Sequence, residues 1–327
     1  MDSVVSGLQP ISLGAQADTL RDAFGRALVA LGTRYPDFVV LDADVAGGTG
    51  THHFRRAFPE RFFQCGIAEQ NMMSMAAGFA GTGQTPFVTS FAVFCLRALE
   101  QVRLSIAYPR RNVKIVASHP GLDAGPDGAS AQALEDLAAF RAIPGMVVVS
   151  PADAIEMAAA TEAVLKYDGP VYMRTGRSPA PRCLPDDYHF EIGRARVLRQ
   201  GDDVAIIACG VEVARALQAA ARLAEEGIEA RVVNMATLKP LDVSQVVACA
   251  RETGAIVTAE DHNVHGGLGS AVAECLVRHW PCVMEMVAVK DVFGESGEPQ
   301  ELAQKYGLSA DHIVAAVRQV LRRKPLR

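Results

Sequence analysis

Six kinds of side chain in this sequence stand where they could do chemistry. In FFQCGIAEQNMMSMAAGFAGTG (62–83) a short strand runs into Gly66, and Glu69 and Gln70 open an Ala/Met-rich helix. A carboxylate at a helix start is favoured by the macrodipole and can equally hold a proton for a ligand. Phe91 and Phe94, three residues apart, share one helix face, as a ring-stacking wall or an ordinary core contact would. The loop SHPGLDAGPDGASAQ (118–132) carries His119 and, eight residues on, Asp127, a pair suited to proton handling and to reading hydroxyls, or to capping a turn. Arg174 ends the run PVYMRT, and Arg21 lies in TLRDAF. A guanidinium grips phosphate, sulfonate or carboxylate through two parallel hydrogen bonds, and on a surface it also stands alone. Asp44 follows FVVLD, at the strand end where open α/β sheets gather functional groups.

Other chemistries lack their residues. His52-His53 has no second ligand cluster, so no metal site is expected. The seven Cys (65, 95, 183, 209, 249, 275 and 282) are odd in number, contain no CxxC pair and sit mostly in apolar runs. They fit free thiols in a reducing cytoplasm. AEDHNVHGGLGSAVAE (259–274) has glycines but not the spacing of a dinucleotide fingerprint, and His262 and His265 in it are expected to be structural. The net charge of −5 from 32 basic and 37 acidic residues supplies no general attraction to nucleic acid or anionic lipid. No apolar run reaches the ~20 residues of a membrane span, and the N-terminus lacks the basic start and apolar core of a signal peptide.

The elements that must position these residues read as alternating strands and helices. Periodic helical spacing begins at Asp18. Apolar runs at 38–45, 85–90, 113–118, 146–150 and 170–175 alternate with helical stretches, including a long one over 91–108 and one over about 131–141. The Pro-rich, aperiodic segment 176–190 divides the chain. A second series follows: strands at 204–210, 230–235, 255–261 and 283–289, with helices over 211–227, 242–254, 269–280 and about 309–323. The expected fold is therefore α/β, with a flexible N-terminal arm over 1–17 and two consecutive domains, 18–182 and 190–327. Each is a mostly parallel sheet with helices on both faces, and 327 residues suit two domains.

GIAEQNM resembles the cofactor motif in the pyrimidine-binding domain of transketolases and 1-deoxyxylulose-phosphate synthases, and the resemblance extends over about 18–325. It is closest to the separate C-terminal subunit of split transketolases. It implies that Glu69 bonds the aminopyrimidine ring of thiamine diphosphate, that Phe94 stacks on that ring and Phe91 lines the same wall, and that Asp44 belongs to the cofactor site. It implies further that His119, Arg21 and Arg174 contact the anionic end of a sugar phosphate and that Asp127 reads a sugar hydroxyl. His119 also counts among the catalytic residues. The family holds Mg²⁺ and diphosphate with Gly-Asp-Gly and a later Asn; the nearest string here is Gly201-Asp202-Asp203. Those ligands are thus expected on an N-terminal diphosphate-binding subunit, in an α2β2 assembly, with a β2 homodimer when the chain is alone. Three positions depart from the family: Arg97 for a third aromatic, Ala131 for a His that touches the donor, and Gly48 for a Ser. The implied activity is transfer of a two-carbon ketol unit from a ketose to an aldehyde. Other readings of the same residues are a 2-oxo acid dehydrogenase β subunit, a specialised transketolase for an unusual sugar or non-sugar acceptor, and a non-catalytic interface subunit.

Overall fold

The computed structural model describes residues 14–324. Its strands are β1 (Gly14–Thr19), β2 (Phe38–Asp42), β3 (Phe62–Gln64), β4 (Thr85–Phe91), β5 (Lys114–Ser118), β6 (Val147–Val149), β7 (Val171–Thr175), β8 (Pro179–Arg182), β9 (Arg196–Arg199), β10 (Val204–Ala208), β11 (Ala230–Asn234), β12 (Thr237–Lys239), β13 (Ala255–Asn263) and β14 (Val283–Val289). The larger sheet runs β12-β6-β7-β5-β4-β2-β3 and the second runs β14-β13-β10-β11-β9. All neighbours are parallel except β12 against β6 and β9 against β11.

Parallel strands covered on both faces need side chains that tolerate full burial, which is why FVVLD, KIVAS, VYMRT and VAIIA read as unbroken apolar runs. Every residue of those four strands is buried. The covering helices show the complementary pattern: Glu212–Glu225 buries Val213, Ala216, Ala219, Ala220 and Leu223 at three- and four-residue spacing. Their starts are fixed by caps. Thr19 accepts from the Asp22 amide ahead of helix Leu20–Arg34, and Asp153 accepts from Ile155 and Glu156 ahead of helix Ala154–Lys166.

Four expectations change. The arm expected over 1–17 falls outside the described residues up to 13, while 14–17 open β1, which pairs antiparallel with β8 inside the Pro-rich divider. The long helix of 91–108 is broken into Ala92–Leu96, Leu99–Gln101 and a π-helical turn, Val102–Ala107. The wider turn keeps Val102, Ile106 and Ala107 on the core while Leu104 and Tyr108 point outward. The helix expected from 131 begins only at Asp136, because Gln132 holds the chain back by donating to the Gly125 and Glu295 carbonyls. Finally, β12 comes from the second half of the chain and completes the first half's sheet. One buried cluster accordingly runs from Val39 and Met72 through Leu137 to Val246 and Val272, joining the two sheets.

Candidate functional site

The parallel strands β2, β4, β5 and β7 end at the same edge, and their ends carry the candidate residues: Asp44 and Gly48 after β2, Phe91 at the end of β4, His119 after β5, and Arg174 and Arg177 at β7. Helix dipoles and loop backbone converge at such an edge.

His119 is the hub. It is only 3% exposed and adopts a left-handed backbone, φ 59°. Its Nδ1 lies 2.8 Å from Ser118 Oγ, which donates to the Gly48 carbonyl. Its Nε2 lies 3.5 Å from Asp127 Oδ2. The Phe91 ring stacks on the imidazole at 3.8 Å and on Phe94 at 5.4 Å. Burial is the largest influence on the imidazole, and Asp127 opposes it; Arg21 and Arg177 add repulsion, and the pKa falls to about 4. His119 is therefore neutral at pH 7 and offers one donor and one acceptor. Gly48 follows from the same packing, since a Cβ there would lie 2.6 Å from the Phe91 ring.

Arg174 does not fit the role expected of it. Its guanidinium is buried at 5% exposure, grips the Asp136 carboxylate with two nitrogens, and donates its third to the Asp261 carbonyl at 2.9 Å. All three nitrogens are engaged, one of them across to the other domain, so an anion would have to displace an ion pair in a low-dielectric setting. Arg177, three residues further on, is partly exposed, with its Nε 3.8 Å from Asp127 Oδ2. Arg21, half-buried, acts on the same imidazole. The groups brought together around the imidazole by the fold are thus Arg21, Arg177 and Asp127. Nothing in the spacing separated Arg177 from Arg174; the difference lies in their partners, Asp136 and the Asp261 carbonyl for one and Asp127 for the other.

Asp44 is exposed, with φ 65°, and exchanges hydrogen bonds with Gln64 through its amide and its carboxylate. The buried carboxylate of that segment is Asp42. It accepts from the Val45 amide and from the hydroxyls of Thr49, Thr51 and Thr89 at 2.8 to 3.2 Å, which secures the loop that carries Asp44 and Gly48. Burial raises its pKa against those bonds.

Glu69 is the first residue of helix Glu69–Gly81, 5% exposed, and its carboxylate makes no hydrogen bond among the described residues. Its charge reaches Cys95, in the same short helix as Phe94. Phe94 is 36% exposed and parallel to Phe91 within 13°. The Glu69 oxygens are not among the buried side-chain atoms left unpaired, so the carboxylate stays open to solvent at this edge and available to a ligand. Paired with an apolar ring face, it fits the edge and face of an aminopyrimidine. Among the described residues no group of three or more His, Cys, Asp or Glu is placed to hold a metal ion. Also among them, no helix is long and apolar enough to cross a membrane.

Two domains of this architecture, one sheet edge lined in this way, define an α/β enzyme subunit of the transketolase type. Residues 16–182 match the transketolase pyrimidine-binding domain and 193–313 the transketolase C-terminal domain. A 6-deoxy-6-sulfo-D-fructose transketolase subunit of Clostridium sp. (strain MSTE9) is 42% identical, over 98% of this chain and 99% of its own length. Transketolase-like protein 2 of Mus musculus is 41% identical over 92% of this chain, which covers 48% of that protein. A solved structure described as a split gene transketolase, inactive beta4 tetramer, is 50% identical, with a TM-score of 0.88 over 95% of this chain and all of that one. The chain belongs to the transketolase family, as a C-terminal subunit of a split transketolase.

Proposed function

We propose that the chain is the pyrimidine-side half of a two-subunit transketolase that moves a two-carbon ketol unit from a ketose donor to an aldehyde acceptor. The observation that carries this reading is Glu69, a carboxylate at a helix start with no hydrogen-bond partner among the described residues, whose charge reaches Cys95 next to the stacked Phe94. When bound, thiamine diphosphate supplies a nucleophilic carbon that protein side chains lack. Glu69 holds a proton against the cofactor's ring nitrogen, and Phe94 and Phe91 keep that ring out of water. Arg21, Arg177 and neutral His119 grip the anionic end of the substrate, and Asp127 accepts from a substrate hydroxyl. His119 is also placed to pass a proton at the reacting carbonyl, because it stays neutral at pH 7. Asp44, exposed after the end of β2, belongs to the cofactor site in this reading.

Mg²⁺ and the diphosphate are assigned to an N-terminal subunit in an α2β2 assembly. Ile67, Leu104 and Tyr108, exposed at 80%, 56% and 84% around the Glu69 helix and the π-helical turn packed on it, favour a covering partner. Without it the chain pairs with copies of itself, a reading supported by the relative described as a beta4 tetramer. The buried thiols support a cytoplasmic setting.

Substrates are anionic sugars, with sugar phosphates first. A sulfo-sugar donor is a second reading, favoured by the sulfofructose transketolase relative and by Gly48 and Ala131, which remove a hydroxyl and an imidazole from the family's pocket. Turnover of Glu69→Gln with an N-terminal subunit, on sugar phosphates and sulfo-sugars side by side, tests the assignment. Loss of turnover in a folded assembly is expected; near-normal turnover would exclude Glu69 from the reaction.

A further inference from the structure

The substrate-facing loop is held in part by the other domain. Leu122 and Asp123 donate their amides, at 2.8 and 3.0 Å, to the two carboxylate oxygens of Asp261, which lies 138 residues further on at the end of β13. Asp123 in turn accepts, through one oxygen, from the amides of Arg177 and Ser178 at 2.8 and 3.0 Å. Two buried carboxylates thus run in series. The first fixes the loop that bears His119 and Asp127, and the second fixes the turn that bears Arg177. Both acids are nearly sealed, at 6% exposure each.

The glycines of this loop have the same explanation. Gly121 has φ 66°, and a Cβ on it would strike the Asp261 carboxylate. At Gly125, φ 63°, it would lie 3.1 Å from Pro299, and at Gly128, φ 78°, it would lie 2.5 Å from Ser296 Oγ. Three left-handed glycines in eight residues each seat on the C-terminal domain. A loop shaped only by its own turns would not need all three to abut one neighbour. Gln132 adds a further tie by donating to the Glu295 carbonyl at 2.9 Å.

We propose that Asp261 is a positioning residue: through Asp123 it sets the relative placement of His119, Asp127 and Arg177, so that the C-terminal domain governs how tightly the anionic end of the substrate is held. This rests on the anion-binding role given above to Arg177 and His119. Asp261 touches neither substrate nor cofactor. Its loss leaves two buried amides without acceptors and lets both segments drift, and misplacement of about 1 Å at binding groups costs up to about 100-fold.

The test has two arms. In hydrogen exchange on the full chain by itself, Asp261→Ala should lose protection at 121–123 and also at 177–178, which Asp261 does not touch. Protection along β13 and helix Leu268–His279 should persist. In the assembled enzyme the same variant should raise the KM for a phosphorylated ketose about 10- to 100-fold, with any fall in kcat through His119 smaller than that rise, and Asp261→Asn, which keeps one acceptor oxygen, should recover part of the loss. Asp123→Ala cuts only the second link. It should expose 177–178 while 121–122 stay protected and should raise KM as well, so the proposal stays testable if Asp261→Ala fails to fold. Unchanged exchange at 177–178 in Asp261→Ala, or an unchanged KM beside altered exchange, would overturn the proposal. A wild-type assembly without ketol transfer would instead overturn the assigned activity and leave the exchange arm to judge the tie.

Discussion

Glu69 and Glu260 are both buried acidic residues beside the first turn of a helix. Glu260, 1% exposed in the C-terminal domain, accepts from the amides of Leu268 and Gly269 at 2.6 and 2.7 Å and so caps helix Leu268–His279. Burial still raises its pKa, to about 7. Glu69, in the other domain, has no hydrogen-bond partner among the described residues. The same contrast separates the arginines near β7: Arg174 spends its nitrogens on Asp136 and the Asp261 carbonyl, while Arg177 is partly exposed with only a 3.8 Å approach to Asp127. A polar group satisfied by its own chain builds the fold, and one left open awaits something from outside. The N-terminal domain holds both kinds, with the open groups at the ends of its strands.

The largest effect should come from exchanging these carboxylates for amides. Glu69→Gln with an N-terminal subunit should lose on the order of 10²–10⁴ in turnover, the range for a proton-handling group, with melting unchanged. Glu260→Gln must turn its NH₂ toward an amide and should lose about 1–3 kcal/mol of stability while the assembled enzyme keeps its activity. Calorimetric melting beside steady-state rates would separate the two, and a reversed pattern would break the comparison.

The arginines give a comparable but smaller split. Arg174→Ala leaves Asp136 buried without its ion-pair partner and should cost about 3–5 kcal/mol. Arg177→Ala should leave melting nearly unchanged and raise the KM for an anionic donor by about tenfold, as loss of a charge-assisted hydrogen bond does. If Arg174→Ala were stable and only weakened substrate binding, the expectation drawn from its place in the sequence would be restored.

The smallest effect concerns pH. Glu156, also sealed, accepts from the Ala152 amide, the Tyr188 hydroxyl and Asn234, and burial raises its pKa to about 7. A raised acid contributes stability that is full below its unfolded pKa and is lost as pH rises through the folded value, here between about 4.5 and about 7. Glu156→Gln can direct its oxygen to the Ala152 amide and its NH₂ to the otherwise unpaired Asn234 Oδ1. Wild type and variant should therefore melt together near about pH 5, and the variant should melt higher at about pH 8. Parallel melting curves across that range would show that Glu156 does not titrate there.

Much of this was legible in the sequence where chemistry is local. Runs such as FVVLD and KIVAS marked buried parallel strands, and GIAEQNM located Glu69 at a helix start. The family resemblance was legible in the same motifs. What escaped was long-range. Arg174 and Arg177 differ in their partners, and those of Arg174, Asp136 and Asp261, lie 38 and 87 positions away from it. The addition of β12 to the first sheet, and the pairing of β1 with β8, join segments remote in sequence. The Gly-rich loop over 119–130 could be read as a loop, but the residues its glycines abut, Asp261, Ser296 and Pro299, lie in another domain.

The most direct test of the open-group account is calorimetric titration of thiamine diphosphate with Mg²⁺. It would be run on this chain alone, on the chain with an N-terminal split-transketolase subunit, and on that mixture carrying Glu69→Gln. Binding in the wild-type mixture, weakened by Glu69→Gln and absent from the chain alone, is the predicted result. Tight binding to the chain by itself would contradict it, because the diphosphate would then be held by residues of this chain and the site would not be shared.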